Sequence, residues 1–161
     1  MKRIITMALS AILMCGVLTA CGGSKEAKVF TVATNAEFPP FEYLEGNKVV
    51  GADADIAQAI ADKLGKKLEI TNIDFDAALT GAATGKYDVA IAGITANEDR
   101  KKNMNFTDDY YTASQAIIVN SGSDIKAAKD LDGKTISCQE GTTGEAYLLD
   151  NKYNVQSFKT G

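Results

Sequence analysis

The sequence contains no histidine, and this absence removes several kinds of chemistry. Histidine is the usual general base, the partner of serine and cysteine nucleophiles, and the commonest zinc ligand. An enzyme built on this chain would depend on carboxylates or lysines for proton transfer. We therefore expect a protein that binds rather than catalyses, without a cofactor and without a metal.

Cysteine is scarce as well, with three in the 161 residues. Cys15 lies in an apolar amino-terminal run that we expect to be cleaved, and Cys21 follows that run directly. Cys138 then has no partner, so no disulfide framework is predicted. Its place in an apolar strand favours a small buried hydrophobic residue over a nucleophile.

The chain also lacks an excess of positive charge. Its formal net charge is −4, and removal of the leader with Lys2 and Arg3 changes it to −6. An acidic surface argues against nucleic acid, and against an anionic membrane face, as the main partner.

Residues 1–20 have the pattern of an export signal, with Lys2 and Arg3 before an apolar run. The following Leu18-Thr19-Ala20-Cys21 resembles the lipobox of bacterial lipoproteins, which implies cleavage before Cys21 and lipid attachment to its sulfur. Residues 21–28 would then form the lipidated cysteine and a flexible tether. A plain secretory signal with a chance cysteine is the alternative.

From Val29 onward, strands alternate with helices. The pattern predicts strands at 30–34, 68–73 and 87–92, helices at 53–64 and 75–84, and a rigid loop at 35–43 containing Pro39-Pro40. Gly65 is expected to end the first helix, and Asp74 to cap the second. This alternation predicts parallel βαβ units, whose ligands bind at the carboxyl ends of the strands.

The most informative stretch runs from Asp88 to Arg100. It reads as a buried strand that leads through Gly93 into a Thr95-x-x-Glu98 capping box. A hydroxyl, backbone N–H groups and a guanidinium at one strand end suit a small carboxylate. The alternative is an ordinary helix cap followed by a solvated charged turn.

A similar pattern recurs further along the chain. Strands are predicted at 114–120, 134–139 and 155–158, and polar residues 121–124 mark a crossing into a second unit. Thr142-x-x-Glu145 is a second capping box at a strand end. Because 40 to 50 residues, roughly, seldom hold a core by themselves, we expect an amino-terminal fragment of a longer protein that is unstable alone.

Several short motifs together resemble the extracytoplasmic solute-binding proteins, family 3, of ABC importers for polar amino acids. They are Val32 to Glu42, Gly51 to Asp55, Asp74 to Asp76, Asp88 to Arg100, Phe106 to Tyr111 and Asp130 to Lys134. The resemblance implies an α/β, periplasmic-binding-protein-like fold of two lobes that closes like a flytrap. Lobe 1 would span residues 29–112, and residues 113–161 would be part of lobe 2, with the return crossing missing.

The resemblance also implies the site. Arg100 would bind the ligand carboxylate bidentately, helped by Thr95 and by the backbone of Gly93 and Ala92. Other residues would surround the rest of the ligand. These are Phe38 and Phe75 as aromatic walls, Thr142 and Thr143 as donors from lobe 2, and Gln139 and Asn35 at the side-chain end.

Two departures from the family pattern affect the expected ligand. Many relatives have aspartate where Asn35 stands, so a neutral Asn35 weakens the case for lysine, arginine or histidine as the ligand and suits a neutral polar amino acid better. The acidic partner of the α-ammonium group would lie after Gly161. Asp53 and Asp55 have a spacing that could suggest a metal, but first-turn acids of a helix explain them better.

The expected protein is therefore a monomeric receptor for a polar amino acid, held outside the cell membrane by its lipid and serving an ABC permease. Two alternatives remain open. One is an enzyme of the dehydratase or peptidoglycan-cleaving type on the same scaffold, with Glu37 or Glu140 as acid or base. The other is the sensory module of a membrane receptor.

Overall fold

The computed structural model describes residues 28–161. The predicted signal peptide, the lipidation site Cys21 and all of the tether except Lys28 lie outside these residues. No helix in residues 28–161 is both long and apolar enough to cross a membrane.

The elements follow one another along the chain with short connections. In order they are β1 (Val29–Thr34), β2 (Glu37–Phe38), β3 (Glu42–Glu45), β4 (Lys48–Val50), α1 (Ala52–Leu64), β5 (Lys67–Asn72), α2 (Phe75–Ala83), β6 (Val89–Ala90), α3 (Glu98–Lys101), a 3₁₀ turn (Ala128–Leu131), β7 (Thr135–Gln139), α4 (Thr143–Asp150) and β8 (Asn154–Phe158).

The main sheet has the strand order β5-β1-β6, and both pairings are parallel. This confirms the predicted βαβ arrangement. Strand β6 is shorter than the predicted strand 87–92, because its ladder with β1 covers only Val89 and Ala90. Thr34 pairs with Asn72 in register, so the ends of β1 and β5 lie level at one edge.

Helix α1 covers one face of the main sheet and forms the core with it. Ala57 and Ala61 are 1% and 0% exposed, and they pack with Phe30, Val32 and Ile91. Two small residues at the contact let the helix approach the sheet closely, while each large apolar side chain buried there contributes about 1.5–3 kcal/mol. The predicted apolar face is confirmed except at its end, where Leu64 lies in the last turn and is exposed.

The predicted loop at 35–43 is partly wrong. Strands β2, β3 and β4 form a small antiparallel sheet, here called the hairpin sheet. Its short strands are interrupted by the turn at 39–41, which is why alternation was not recognisable in the sequence. The turn is tied to α1, since the Ala52 N–H donates to the Pro40 carbonyl and the Asp53 N–H to that of Phe41.

Strands β7 and β8 pair in parallel and form the second sheet, with α4 between them in sequence. Both strands and α4 confirm the prediction. The predicted strand 114–120 is wrong, since residues 104–120, here called the crossing segment, form no helix or strand. An extended segment becomes a strand only through a ladder partner, and no described strand pairs with this one.

Two further expectations differ in detail. Asp74 occupies the N-cap position of α2, but its side chain makes no capping hydrogen bond. Cys138 on β7 is partly rather than fully buried, and its sulfur lies 3.8 Å from the Ser157 hydroxyl. The division into lobes at residues 112 and 113 stays a prediction.

Candidate functional site

The candidate site lies at the edge of the main sheet where β1 and β5 end. Asn35 follows β1 directly and is buried, and its amide donates to the Ile73 carbonyl at 3.1 Å. The Asn72 side chain in turn accepts the Ala36 N–H at 2.8 Å. Two strand ends are therefore locked together beside the loop that follows β6, which begins with buried Ile91 and Ala92.

Arg100 reaches this edge from α3. Its Nη1 donates to the Thr95 carbonyl at 2.8 Å, and its Nη2 donates to the Gly141 carbonyl at 2.9 Å. The guanidinium also lies over the Phe75 ring, 5.7 Å from its centroid. Burial lowers the pKa of Arg100, yet an arginine stays protonated in proteins, so the site carries a fixed positive charge.

The predicted Thr95-x-x-Glu98 capping box is wrong. The N-cap of α3 is Asn97, whose side chain accepts the Arg100 backbone N–H at 2.9 Å. Helix α3 therefore starts two residues later than expected, and Thr95 lies in the loop before it. The Thr95 hydroxyl is not used as a cap, and its carbonyl instead holds the Arg100 side chain in place.

The two predicted aromatic walls have different surroundings. Phe75 is 8% exposed at the start of α2 and carries Arg100 on its face. Phe38 is 57% exposed on β2 and stacks on Phe41, with 5.7 Å between the ring centroids. Phe38 also lies beside Gly93, since a Cβ added to that glycine would be 3.5 Å from the Phe38 ring. Enclosure of a ligand between Phe38 and Phe75 stays a prediction.

The second sheet meets the same edge through its own strand end. Gln139, the last residue of β7, donates its amide to the Asn35 side-chain oxygen at 2.8 Å. Gly141 lies against α2, because an added Cβ would be 3.1 Å from the Asp76 Cβ. Two hydrogen bonds therefore link residues that are distant in sequence, Gln139 to Asn35 and Arg100 to Gly141. Gly141 was not among the predicted site residues.

The two threonines at the start of α4 have structural partners here. Thr142 is the N-cap, and its hydroxyl accepts the Glu145 N–H at 3.2 Å while donating to the Gln139 carbonyl at 2.8 Å. The Thr142 half of the predicted box is therefore confirmed, but its return bond differs, since the Glu145 carboxylate accepts the Gly141 N–H and not that of Thr142. The Thr143 hydroxyl accepts from the Gln115 amide at 3.1 Å.

Lys159 forms a cluster of charges next to this meeting point. Its ammonium lies 3.4 Å from Asp74, 3.6 Å from Asp76 and 3.2 Å from Glu140. The Glu140 hydrogen bond and the Asp76 charge raise the pKa of Lys159. The prediction did not include Lys159, since a lysine after the last strand has no local signal of its partners.

A second unpredicted group holds the loop after β6. Asp53 is 2% exposed, and one of its oxygens accepts the Gly93 N–H at 3.1 Å and the Tyr110 hydroxyl at 3.1 Å. Asp53 is in the first turn of α1 as expected, but its role is not confined to the helix. The Gly93 N–H is therefore already donated to Asp53, and a contact of the Gly93 backbone with a ligand stays a prediction.

A buried carboxyl group accompanies Asp53. Glu42 on β3 is 1% exposed, and burial together with the neighbouring Asp53 charge raises the pKa of Glu42 to about 9. At neutral pH Glu42 is therefore protonated and can donate a hydrogen bond to Asp53. Within residues 28–161, no group of three or more histidine, cysteine or acidic side chains has the arrangement of a metal site.

A parallel α/β main sheet whose binding edge faces a second α/β sheet defines the periplasmic-binding-protein class of folds. Residues 30–158 match the bacterial extracellular solute-binding proteins, family 3. The chain belongs to that family, as its motifs predicted.

Its relatives include proteins named for arginine. The chain is 38% identical over 133 residues to the "Arginine-binding extracellular protein ArtP" of Bacillus subtilis (strain 168), covering 80% of this chain and 52% of that protein. It is 43% identical to the structure of an ancestral arginine-binding protein bound to arginine, with a TM-score of 0.76, covering 82% and 61%. The structure of an ancestral arginine-binding protein bound to glutamine gives the same identity and TM-score, covering 82% and 60%.

The chain thus spans about half the length of the curated relative and about 60% of the length of the solved structures.

Proposed function

We propose that this protein binds a polar amino acid outside the cytoplasmic membrane and delivers it to an ABC importer. The observation that carries this proposal is the position of Arg100, a fixed cation at the edge of the main sheet that lies over the Phe75 ring. A planar guanidinium held in this way matches a carboxylate, which every amino acid has.

Arg100 has donors left for such a ligand. A guanidinium has five N–H groups, and the hydrogen bonds to Thr95 and Gly141 use one on each terminal nitrogen. A ligand carboxylate could take a pair of the remaining donors while Thr95 keeps the side chain in place. The Gly141 carbonyl is neutral, so a carboxylate would bind Nη2 more strongly and displace it.

The side-chain end of the ligand would meet the amide pair of Asn35 and Gln139. These two groups hydrogen bond to each other at 2.8 Å across the gap between the two sheets. Insertion of a ligand with planar N–H groups would replace this bond by bonds to both amides. Glutamine and arginine have such groups, and the flat end of either fits against an aromatic ring.

Arginine is the first candidate and glutamine the second. Arginine is favoured because the relatives named above bind it, and because Asp74, Asp76 and Glu140 outnumber Lys159 in the neighbouring cluster. Glutamine is favoured by the neutral Asn35, which offers no carboxylate to a guanidinium. The related structures with arginine and with glutamine support one scaffold for both.

The anchor and the transporter are further parts of the proposal. The motif Leu18-Thr19-Ala20-Cys21 supports lipid attachment at Cys21. A receptor held at the outer face of the membrane keeps its amino acid close to a permease. Labelled palmitate should be incorporated by cells expressing the protein, and Cys21→Ala should abolish the label.

The binding test is a thermal-shift screen of all protein amino acids on the purified protein, followed by titration calorimetry. A ligand that binds only the native state raises the melting temperature by mass action. L-arginine or L-glutamine should give the largest shift. A flat screen with a cooperatively folded protein would refute the proposal.

The same samples test the enzyme alternative. Glu140 is engaged by Lys159, and Glu37 is exposed on β2. Recovery of the bound amino acid unchanged after incubation, measured by mass spectrometry, is the result expected for a receptor. Conversion of the amino acid would instead identify an enzyme.

A further inference from the structure

Two buried carboxyl groups lie under the loop that would bind the ligand carboxylate. Glu42 comes from β3 and Asp53 from the first turn of α1. Gly51 brings these elements together with a φ of +114°, and a Cβ there would lie 2.3 Å from the Phe41 carbonyl oxygen. Only glycine allows α1 to start this close to the turn before β3.

Asp53 connects two parts of the chain that lie far apart in sequence. One oxygen of its carboxylate accepts both the Gly93 N–H and the Tyr110 hydroxyl, each at 3.1 Å. Gly93 belongs to the loop that ends in Arg100, while Tyr110 belongs to the crossing segment that leads to the second sheet. One buried acceptor therefore fixes the loop relative to the start of the crossing.

Glu42 completes the group. Glu42 Oε1 lies 4.0 Å from the position a Cβ on Gly93 would take, so Glu42 lies beside the glycine whose N–H Asp53 accepts. Glu42 Oε2 and Asp53 Oδ1 are buried, and neither oxygen accepts a hydrogen bond from any donor in residues 28–161. A proton between the two carboxyl groups satisfies both, and two adjacent buried carboxylates would repel each other.

We propose that Asp53 and Glu42 are positioning residues of the amino-acid site, and that a proton held between them keeps Gly93 and Tyr110 in the binding arrangement. This inference rests on the proposed function for its effect on affinity. The groups that face the pair are Gly93 from the loop after β6 and Tyr110 from the crossing segment. Loss of the proton would place two negative charges there and loosen the loop.

The first experiment measures hydrogen exchange of the Gly93 amide by NMR, without any ligand. Asp53→Asn should speed exchange at Gly93 roughly 10-fold or more, since the amide loses a charged acceptor. Asp55→Asn is the matched control, because Asp55 is an exposed acid in the same helical turn. Equal exchange at Gly93 in wild type and Asp53→Asn would overturn the proposal, even if no amino acid binds.

The second experiment measures affinity for L-arginine and L-glutamine by calorimetry. Tyr110→Phe removes one donor with little change in volume, so it tests the network if Asp53→Asn does not fold. Tyr110→Phe should weaken binding roughly 3- to 10-fold and Asp53→Asn roughly 10- to 100-fold, with Asp55→Asn unchanged. If wild type binds neither amino acid, the proposed function fails. The hydrogen-exchange result still tests whether Asp53 holds the Gly93 N–H.

The third experiment uses the conservative variant Glu42→Gln, whose amide donates to Asp53 at every pH. At pH 7 the Kd of Glu42→Gln should lie within about threefold of the wild-type Kd, whereas Glu42→Ala should bind more weakly than that. Wild type should lose affinity relative to Glu42→Gln as the pH rises through about 9, where Glu42 gives up its proton. The ligand's ammonium titrates equally in both proteins, so parallel pH profiles would overturn the role of the proton.

Discussion

Replacement of Arg100 is the most direct perturbation of the proposed site. Arg100→Ala removes the guanidinium that lies over Phe75, and Arg100→Lys keeps the charge but removes the planar pair of donors. Lys101→Ala is the matched control, since Lys101 is the next residue of α3 and forms an exposed ion pair with Glu98. It removes one positive charge at nearly the same place without touching the sheet edge.

The expected magnitude follows from the bonds lost. A hydrogen bond to a charged group contributes about 1.5–3 kcal/mol. With two such bonds to a carboxylate, partly offset by desolvation, Arg100→Ala should cost about 3–4 kcal/mol of binding, roughly 100- to 1000-fold in Kd. Arg100→Lys should keep one bond and cost about 1.5–2 kcal/mol, roughly 10- to 30-fold.

Titration calorimetry with the amino acid found in the screen measures these losses. Urea unfolding of each variant separates binding from stability, because Arg100→Ala also removes the bond to the Gly141 carbonyl. Affinity of Arg100→Ala within about threefold of wild type would refute carboxylate recognition by this residue. An equal loss in Lys101→Ala would show that only the net charge of α3 matters.

Three further predictions concern stability. Gly51→Ala should lower the free energy of unfolding, measured in urea, by about 2–4 kcal/mol, because at a φ of +114° its Cβ would clash with the Phe41 carbonyl oxygen. Gly46→Ala is the control, since Gly46 has a φ of +62° but open space around it, and it should cost about 1 kcal/mol. Because the pKa of Glu42 is raised from 4.5 to about 9, the folded state keeps a proton that the unfolded chain releases, so the contribution of Glu42 to stability is greatest below pH 4.5 and falls as the pH rises towards 9. Glu42→Gln should remove up to about 1.4 kcal/mol per pH unit of that slope, and an unchanged slope in urea titrations at several pH values would contradict it. Lys159→Met should lower the melting temperature at low salt but not in about 1 M NaCl, where charges are screened beyond about 3 Å, and an equal loss in both would contradict an electrostatic role.

Much of the fold was predictable because its signals are local. The apolar spacing of α1 and the glycine after it give the helix Ala52–Leu64, and the apolar runs give β1, β5, β7 and β8. The errors arose where a local signal had a competitor. Asn97 caps α3 in place of Thr95, since its side chain accepts the Arg100 N–H, and both residue types are good caps.

The contacts of the site were less predictable than its residues. Arg100 was expected to serve a carboxylate, but nothing near it in the sequence indicates the Gly141 carbonyl, 41 residues away. Asp53 was expected to be an ordinary first-turn acid, and its bond to Gly93 spans 40 residues. The signal that could have found it is the apolar helix face that Asp53 adjoins, since an acid placed there needs a buried partner.

The sequence by itself determined the orders β1-α1-β5-α2-β6 and β7-α4-β8, the family, and which side chains come to the ends of parallel strands. These properties follow from periodicity and from short motifs within a few residues of each other. Only the tertiary structure decided that Asn35 meets Gln139 and that Glu42 lies beside Asp53 in a buried group. The physical reason is that hydrogen bonds and pKa values depend on distance and burial in space, which separate elements acquire only when the sheets and helices pack.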